Sequence, residues 1–198
     1  IIWSVVVTCF MIWLLAVTIP DIANSRINFL SRGQTLLPIF ALIVGALIGF
    51  VEDLFEIRAD PEHFPQGLPG WHKVAIVAIL GLVTALWFFA KLDMSSISIP
   101  FGNSLELGFW FIPLFIAVML GCFSSGVIDG IDGLAGGVLA TIFGSLALIA
   151  FTQNQIDLSA LSLVITGGIL AFLWFNVPPA RFYMGETGML GLTLALAV

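Results

Sequence analysis

Residues 107–151 read LGFWFIPLFIAVMLGCFSS, then GVIDGIDG, then LAGGVLATIFGSLALIAF: an apolar run over 107–125, a Gly/Asp stretch over 126–133 and a second apolar run over 134–151. Each run approaches the ~20 residues that a helix needs to cross a ~30 Å hydrocarbon core. In lipid every backbone polar group needs an internal partner, so such runs are expected to be helices. Asp129 and Asp132 lie between them, where a carboxylate is costly unless it is paired or functional. This stretch sets the expected fold class: an all-α, polytopic transmembrane bundle with acidic connections at the membrane boundary.

The same pattern extends outward in both directions. Apolar runs also cover roughly 1–20, 35–51, 74–90, 159–175 and 188–198, predicting about six full spans and a truncated seventh. The chain opens inside one apolar run and stops inside another, so residues 1–198 are expected to form a single integral membrane domain, cut at both ends. Composition agrees. Of 198 residues, 60 % are apolar and 9 % charged, where a soluble domain has roughly 25 % charged, and the mean hydropathy is +1.16. Cys9 and Cys122 both sit inside apolar runs and read as buried thiols. Glycines 45, 49, 81, 121, 136, 137, 167 and 168 suit close helix–helix approach.

Alternation assigns the connections to two faces. Loops 21–34, 91–106 and 152–158 share one face; loops 52–73, 126–133 and 176–187 share the other. The second face carries Glu52, Asp53, Glu56, Asp60, Glu62, Asp129, Asp132 and Glu186, eight of the 12 acids. The net charge of −6 argues against a nucleic-acid partner and suits a cation-binding site. Arg26, Arg32 and Lys91 on one face balance Arg58, Lys73 and Arg181 on the other, so positive charge does not choose the cytoplasmic side.

Three motifs carry the chemistry on the acidic face. Glu52-Asp53 puts two carboxylates side by side at a span end, where one has a raised pKa or a cation holds both; an acidic helix end in water has the same sequence. Asp129-Gly130-Ile131-Asp132-Gly133 spaces two acids so that one helical turn would place them together, and its glycines allow backbone close to a ligand. In Asn176-Val-Pro-Pro-Ala-Arg181-Phe-Tyr183-Met-Gly-Glu186-Thr-Gly188, an amide, a guanidinium, aromatic rings and a carboxylate follow a Pro pair that ends a span. Arg suits a phosphate and an aromatic face suits a base; interfacial anchoring is the plainer alternative. Lys73 either snorkels to headgroups or meets a phosphate. His63 and His72 read as solvated loop residues. Hard oxygen ligands beside a phosphate-binding Arg describe a Mg²⁺ site completed by the substrate's phosphates.

At these motifs the sequence resembles the polyprenyl-phosphate N-acetylhexosamine-1-phosphate transferases, and within them the branch that serves peptidoglycan precursor assembly. Gly49 to Leu54, Asp129 to Ala135, and Phe172 to Asn176 with Pro179-Ala180 and Phe182 to Gly188 carry the likeness, with the Ile99-Pro100-Phe101 loop aligning in order. The resemblance implies a multi-pass protein of the bacterial inner membrane with a cytoplasmic active face. Polyprenyl phosphate would attack the β-phosphorus of a UDP-sugar, phospho-N-acetylmuramoyl-pentapeptide would be transferred, and UMP would leave. It further implies Glu186 as a Mg²⁺ ligand and Glu52 and Asp53 as catalytic acids. Asp129, Asp132 and Asn176 would line the nucleotide pocket, with Tyr183 near uracil. Family members can assemble as homodimers.

The sequence departs from the family at Glu52 and Glu186, where Asp is usual, and at Gly126, Met189 and Glu56, where Asn, Ser and Lys are usual. Competing expectations are the same chemistry on UDP-N-acetylglucosamine, an inactive membrane scaffold, and a cation transporter. The transporter predicts acids in mid-span, whereas these lie at span ends.

Overall fold

The structure is a computed structural model describing residues 1–19, 29–31, 33–58, 70–91, 96–98, 104–124 and 130–198. The seven apolar runs each form a helix: α1 Ile2–Thr18, α2 Gly33–Arg58, α3 Gly70–Lys91, α4 Phe111–Ser124, α5 Leu134–Thr152, α6 Ile156–Asn176 and α7 Gly185–Ala197. Four of them are long and apolar enough to cross a membrane, over Thr35–Phe55, Gly70–Ala90, Leu134–Thr152 and Ile156–Asn176. The 17-residue α1 and the Gly108–Ser124 segment are shorter than the full spans hydropathy suggested. At ~1.5 Å per residue, 17 residues rise ~26 Å, short of a ~30 Å core.

The outer surface is what a lipid solvent requires. Trp3, Phe40, Phe50, Ile79, Leu148, Phe151 and Trp174 are all large, apolar and exposed. The centre is α7, whose residues Gly188 to Ala195 are buried without interruption. It packs most extensively on α2, and also on α4. The α2–α7 contact is backbone on backbone. A Cβ at Gly45 would lie 2.7 Å from the Leu190 carbonyl oxygen, and one at Gly49 only 2.3 Å from that of Glu186. This is the small-xxx-small rule of membrane helices, where missing side chains let two backbones approach. Gly81, Gly136 and Gly168 also meet neighbours, but Gly121, Gly137 and Gly167 have nothing within 4 Å, so close approach accounts for only part of the glycine content.

Connection 91–106 contains an element that hydropathy did not foresee. Strand β1, Ser96–Ser98, pairs antiparallel with β2, Ser104–Glu106, with Ile97 opposite Leu105. The signal was the alternation Ser-Ile-Ser and Ser-Leu-Glu.

Candidate active site

The ends of α2, the start of α3 and the start of α7 meet at one point. Glu52 on the last turns of α2 is 2 % exposed. Such burial is tolerable for a carboxylate only with a partner. Lys73, near the start of α3, supplies it: its ammonium makes a close ion pair with Glu52 Oε1 and donates to Glu186 Oε1 at 2.9 Å. One cation thus ties together two acids that lie more than a hundred positions apart in sequence.

Asp53, the next residue, turns elsewhere. Its Oδ1 accepts the backbone N–H of Glu186 at 3.2 Å. Its Oδ2 accepts the N–H of Thr187 at 3.1 Å and the Thr187 hydroxyl. Gly185, at φ +69°, opens α7 and would place a Cβ 3.3 Å from Asp53 Oδ2. The left-handed turn and the tight space both favour glycine.

A second junction joins the 177–184 connection to the start of α5. Asn176, 1 % exposed at the end of α6, accepts the Gly133 N–H at 2.9 Å and donates to the Phe182 carbonyl at 2.9 Å. Its amide is therefore committed at both ends. Asp132 Oδ2 accepts the Ala180 N–H at 3.0 Å, and Oδ1 accepts the Tyr183 hydroxyl. The Tyr183 hydroxyl, then the Ala180 N–H, hold the Asp132 carboxyl below the usual carboxylate range. Asp132 lies in a turn before α5, not on a helical turn. The Tyr183 and Phe182 rings are about half exposed, and Phe182 packs on Phe172 and Phe175. The Arg181 side chain is exposed while its N–H donates to the Phe175 carbonyl at 2.9 Å. The two junctions adjoin, because only Met184 and Gly185 separate Tyr183 from Glu186.

The structure therefore brings Glu52, Asp53, Lys73 and Glu186 into one cluster, and Asp132, Asn176, Arg181 and Tyr183 onto the adjoining loop. Asp129 and Gly126 lie outside the described residues, as do Asp60, Glu62, His63 and the Ile99-Pro100-Phe101 loop. Sequence reasoning missed Thr187, Gly133 and Ala180, which act through backbone or hydroxyl groups. The available signal was that α5 and α7 each begin without a side-chain cap of their own, so an acceptor from elsewhere is required. Among the described residues no cluster of three or more His, Cys, Asp or Glu could hold a metal alone.

A family model described as Glycosyl transferase family 4 matches residues 35–198. Curated relatives carry the name phospho-N-acetylmuramoyl-pentapeptide-transferase. One from Latilactobacillus sakei subsp. sakei is 36 % identical over 161 residues, 80 % of this chain and 49 % of that protein. One from Anoxybacillus flavithermus is 33 % identical over 182 residues, 90 % of this chain and 55 % of that protein. One from Streptococcus mutans is 35 % identical over 167 residues, 83 % and 48 % respectively. The chain spans about half the length of the curated relatives it matches.

Proposed function

The chain belongs to glycosyl transferase family 4, and from that membership we propose that it carries part of the active face of a Mg²⁺-dependent membrane transferase. This enzyme moves phospho-N-acetylmuramoyl-pentapeptide from UDP to polyprenyl phosphate. A lipid phosphate oxygen bonds to the β-phosphorus of the donor, the bond from that phosphorus to the bridging oxygen breaks, and UMP leaves. The observation that carries the reading is the convergence of Glu52, Lys73 and Glu186 at the ends of three helices, three residues along the chain from an exposed aromatic.

The donor set suits Mg²⁺. Glu52 and Glu186 already converge on one cation, and Mg²⁺ is typically held by one or two carboxylates plus substrate phosphates. Glu186, with Glu52 beside it, would hold the ion. The chemistry such an ion would supply is neutralisation of diphosphate charge. The remaining work is positioning, as phosphoryl transfer requires. The Lys73 ammonium and the exposed Arg181 guanidinium bind phosphate oxygens. The Tyr183 ring stacks on uracil, its hydroxyl held by Asp132 so that the ring keeps one orientation. Asn176 sets the loop that carries it, and the family likeness assigns Asp129 to nucleotide binding as well. Glu52 faces the acceptor phosphate across Lys73. A phosphate with a second pKa of ≈ 6 needs orientation more than a strong base. A UDP-linked donor does not cross a bilayer unaided, which puts this face on the cytoplasmic side of a bacterial inner membrane. The exposed apolar helix surfaces face lipid, from which the acceptor arrives, and a second copy of the protein is a compatible neighbour.

The test is UMP release by the full-length protein in detergent, with polyprenyl phosphate and either UDP-N-acetylmuramoyl-pentapeptide or UDP-N-acetylglucosamine, with Mg²⁺ or with a chelator. UMP from the first donor, abolished by chelation, is expected. Release from the second donor alone moves the protein to polysaccharide synthesis. No release from either, by folded protein, leaves the inactive scaffold as the better description.

A further inference from the structure

We propose that Asp53 is a positioning residue, whose carboxylate caps α7 from across the bundle and so aims the side chain of Glu186. Helix α7 begins with backbone N–H groups that no helical carbonyl can satisfy. Its own N-cap residue, Met184, makes no side-chain hydrogen bond to them. Asp53 supplies the missing acceptor from α2: both of its oxygens receive α7 donors, namely two consecutive backbone N–H groups and the Thr187 hydroxyl. A negative charge at this place also meets the positive end of the helix dipole.

The surrounding residues are shaped for this contact. Gly49 lets the α2 backbone lie directly against Glu186 and Thr187, and Gly185 leaves room for the carboxylate. Because Asp53 binds the N–H of Glu186 itself, any displacement of Asp53 passes to the base of that side chain. The adjacent acids thus divide their duties: Glu52 turns to Lys73, while Asp53 turns to the helix and has its oxygens engaged by protein donors. The inference rests on the reading that Glu186 faces the phosphates, and it removes Asp53 from the groups that touch substrate.

The experiment uses the full-length protein in detergent with Asp53→Asn, Thr187→Val and Thr187→Ser. Three quantities are read: amide hydrogen exchange at Glu186 and Thr187, Mn²⁺ affinity by electron paramagnetic resonance without substrate, and UMP release. Asp53→Asn is expected to speed exchange at both amides, to weaken Mn²⁺ binding several-fold, and to lower kcat by up to roughly 100-fold with little change in donor KM, the scale of an ångström's misplacement. Thr187→Val should move all three in the same direction by less. Thr187→Ser, which keeps the hydroxyl, should restore them. An Asp53→Asn protein that loses turnover while exchange and Mn²⁺ affinity stay at wild-type values would overturn the proposal, because Asp53 would then act on substrate. Equal behaviour of the Val and Ser variants would overturn it as well. If the wild type itself releases no UMP, the transferase reading fails, and exchange with Mn²⁺ binding still decides the role of Asp53.

Discussion

The two junctions on the acidic face solve one problem with different chemistry. Helices α5 and α7 both start without a cap of their own, and each receives an acceptor from a distant helix. For α5 the acceptor is the neutral amide of Asn176, buried and satisfied at both ends. For α7 it is the charged carboxylate of Asp53, beside a Glu52–Lys73–Glu186 ion-pair cluster. A neutral cap holds a loop without attracting ions. An anionic cap beside a lysine shared by two acids makes a place where charge can be exchanged for another cation or a phosphate. The difference separates a junction that shapes the site from one suited to host the charge of the reaction.

The strongest way to break that contrast is to part the two backbones beneath the charged junction. A Cβ at Gly49 would lie 2.3 Å from the Glu186 oxygen, 2.5 Å from its carbonyl carbon and 2.6 Å from the Thr187 nitrogen. All three are backbone atoms, so no side chain can swing away. Gly49→Ala should therefore cost about 3 kcal/mol, the upper end of ordinary overpacking, and abolish turnover. Gly137→Ala is the control: its Cβ meets nothing within 4 Å, and helix propensity favours it by up to ~1 kcal/mol. Equal melting temperatures for the two variants in detergent would show that the α2–α7 contact does not hold this junction.

The next effect concerns charge alone. Lys73→Met leaves Glu52, 3 % exposed at its side chain, facing Glu186 with no cation between them. Removing one partner of a fully buried pair costs about 3–5 kcal/mol. Lys73 and Glu186 are partly open to solvent, so about 2 kcal/mol is expected, read as a lower melting temperature. Adding Glu52→Gln should recover part of the loss. A single variant as stable as wild type would mean that the cluster is solvated well enough to need no lysine.

The contrast also marks what the sequence could disclose. Hydropathy located all seven α-helices of the described residues, because a lipid solvent forces long apolar runs into helices whatever their details. Alternation brought Glu52, Asp53, Asp132, Asn176 and Glu186 to one face, because short connections between spans leave no other arrangement. The pairings were not legible. Adjacent acids left two outcomes open, a raised pKa for one of them or one cation holding both, and the fold excludes only the second: Lys73 takes Glu52, while Asp53 takes a helix start 133 positions away. Neighbours in sequence cannot show which way two consecutive side chains point on a helix. Lys73 left headgroup and phosphate contact open, and the third possibility, a bridge between two acids, depends on distances that only the fold supplies. The antiparallel pair of β1 and β2 went unseen because strands of three residues carry too little alternation beside runs of nearly twenty.

The smallest expected effect sharpens the comparison from the neutral side. The Tyr183 hydroxyl and the Ala180 N–H hold the Asp132 carboxyl below its ordinary range, and an unfolded Asp titrates near ≈ 3.9. A depressed pKa means that the folded loop prefers the ionised form. Its contribution to loop docking is thus complete above the unfolded value and is lost as pH falls through the lower folded one. Hydrogen exchange at the Ala180 amide, which donates to Asp132 at 3.0 Å, reports this site and not the carboxylates of the other junction. Exchange corrected for its intrinsic pH dependence should remain slow until the pH passes below about 4, then accelerate. Tyr183→Phe removes the larger cause and should move that transition up toward the ordinary value, leaving exchange at Glu186 and Thr187 unchanged. An unmoved transition would assign the depression to the Ala180 N–H alone. A matching change at Glu186 would mean that Met184 and Gly185 couple the two junctions into a single unit.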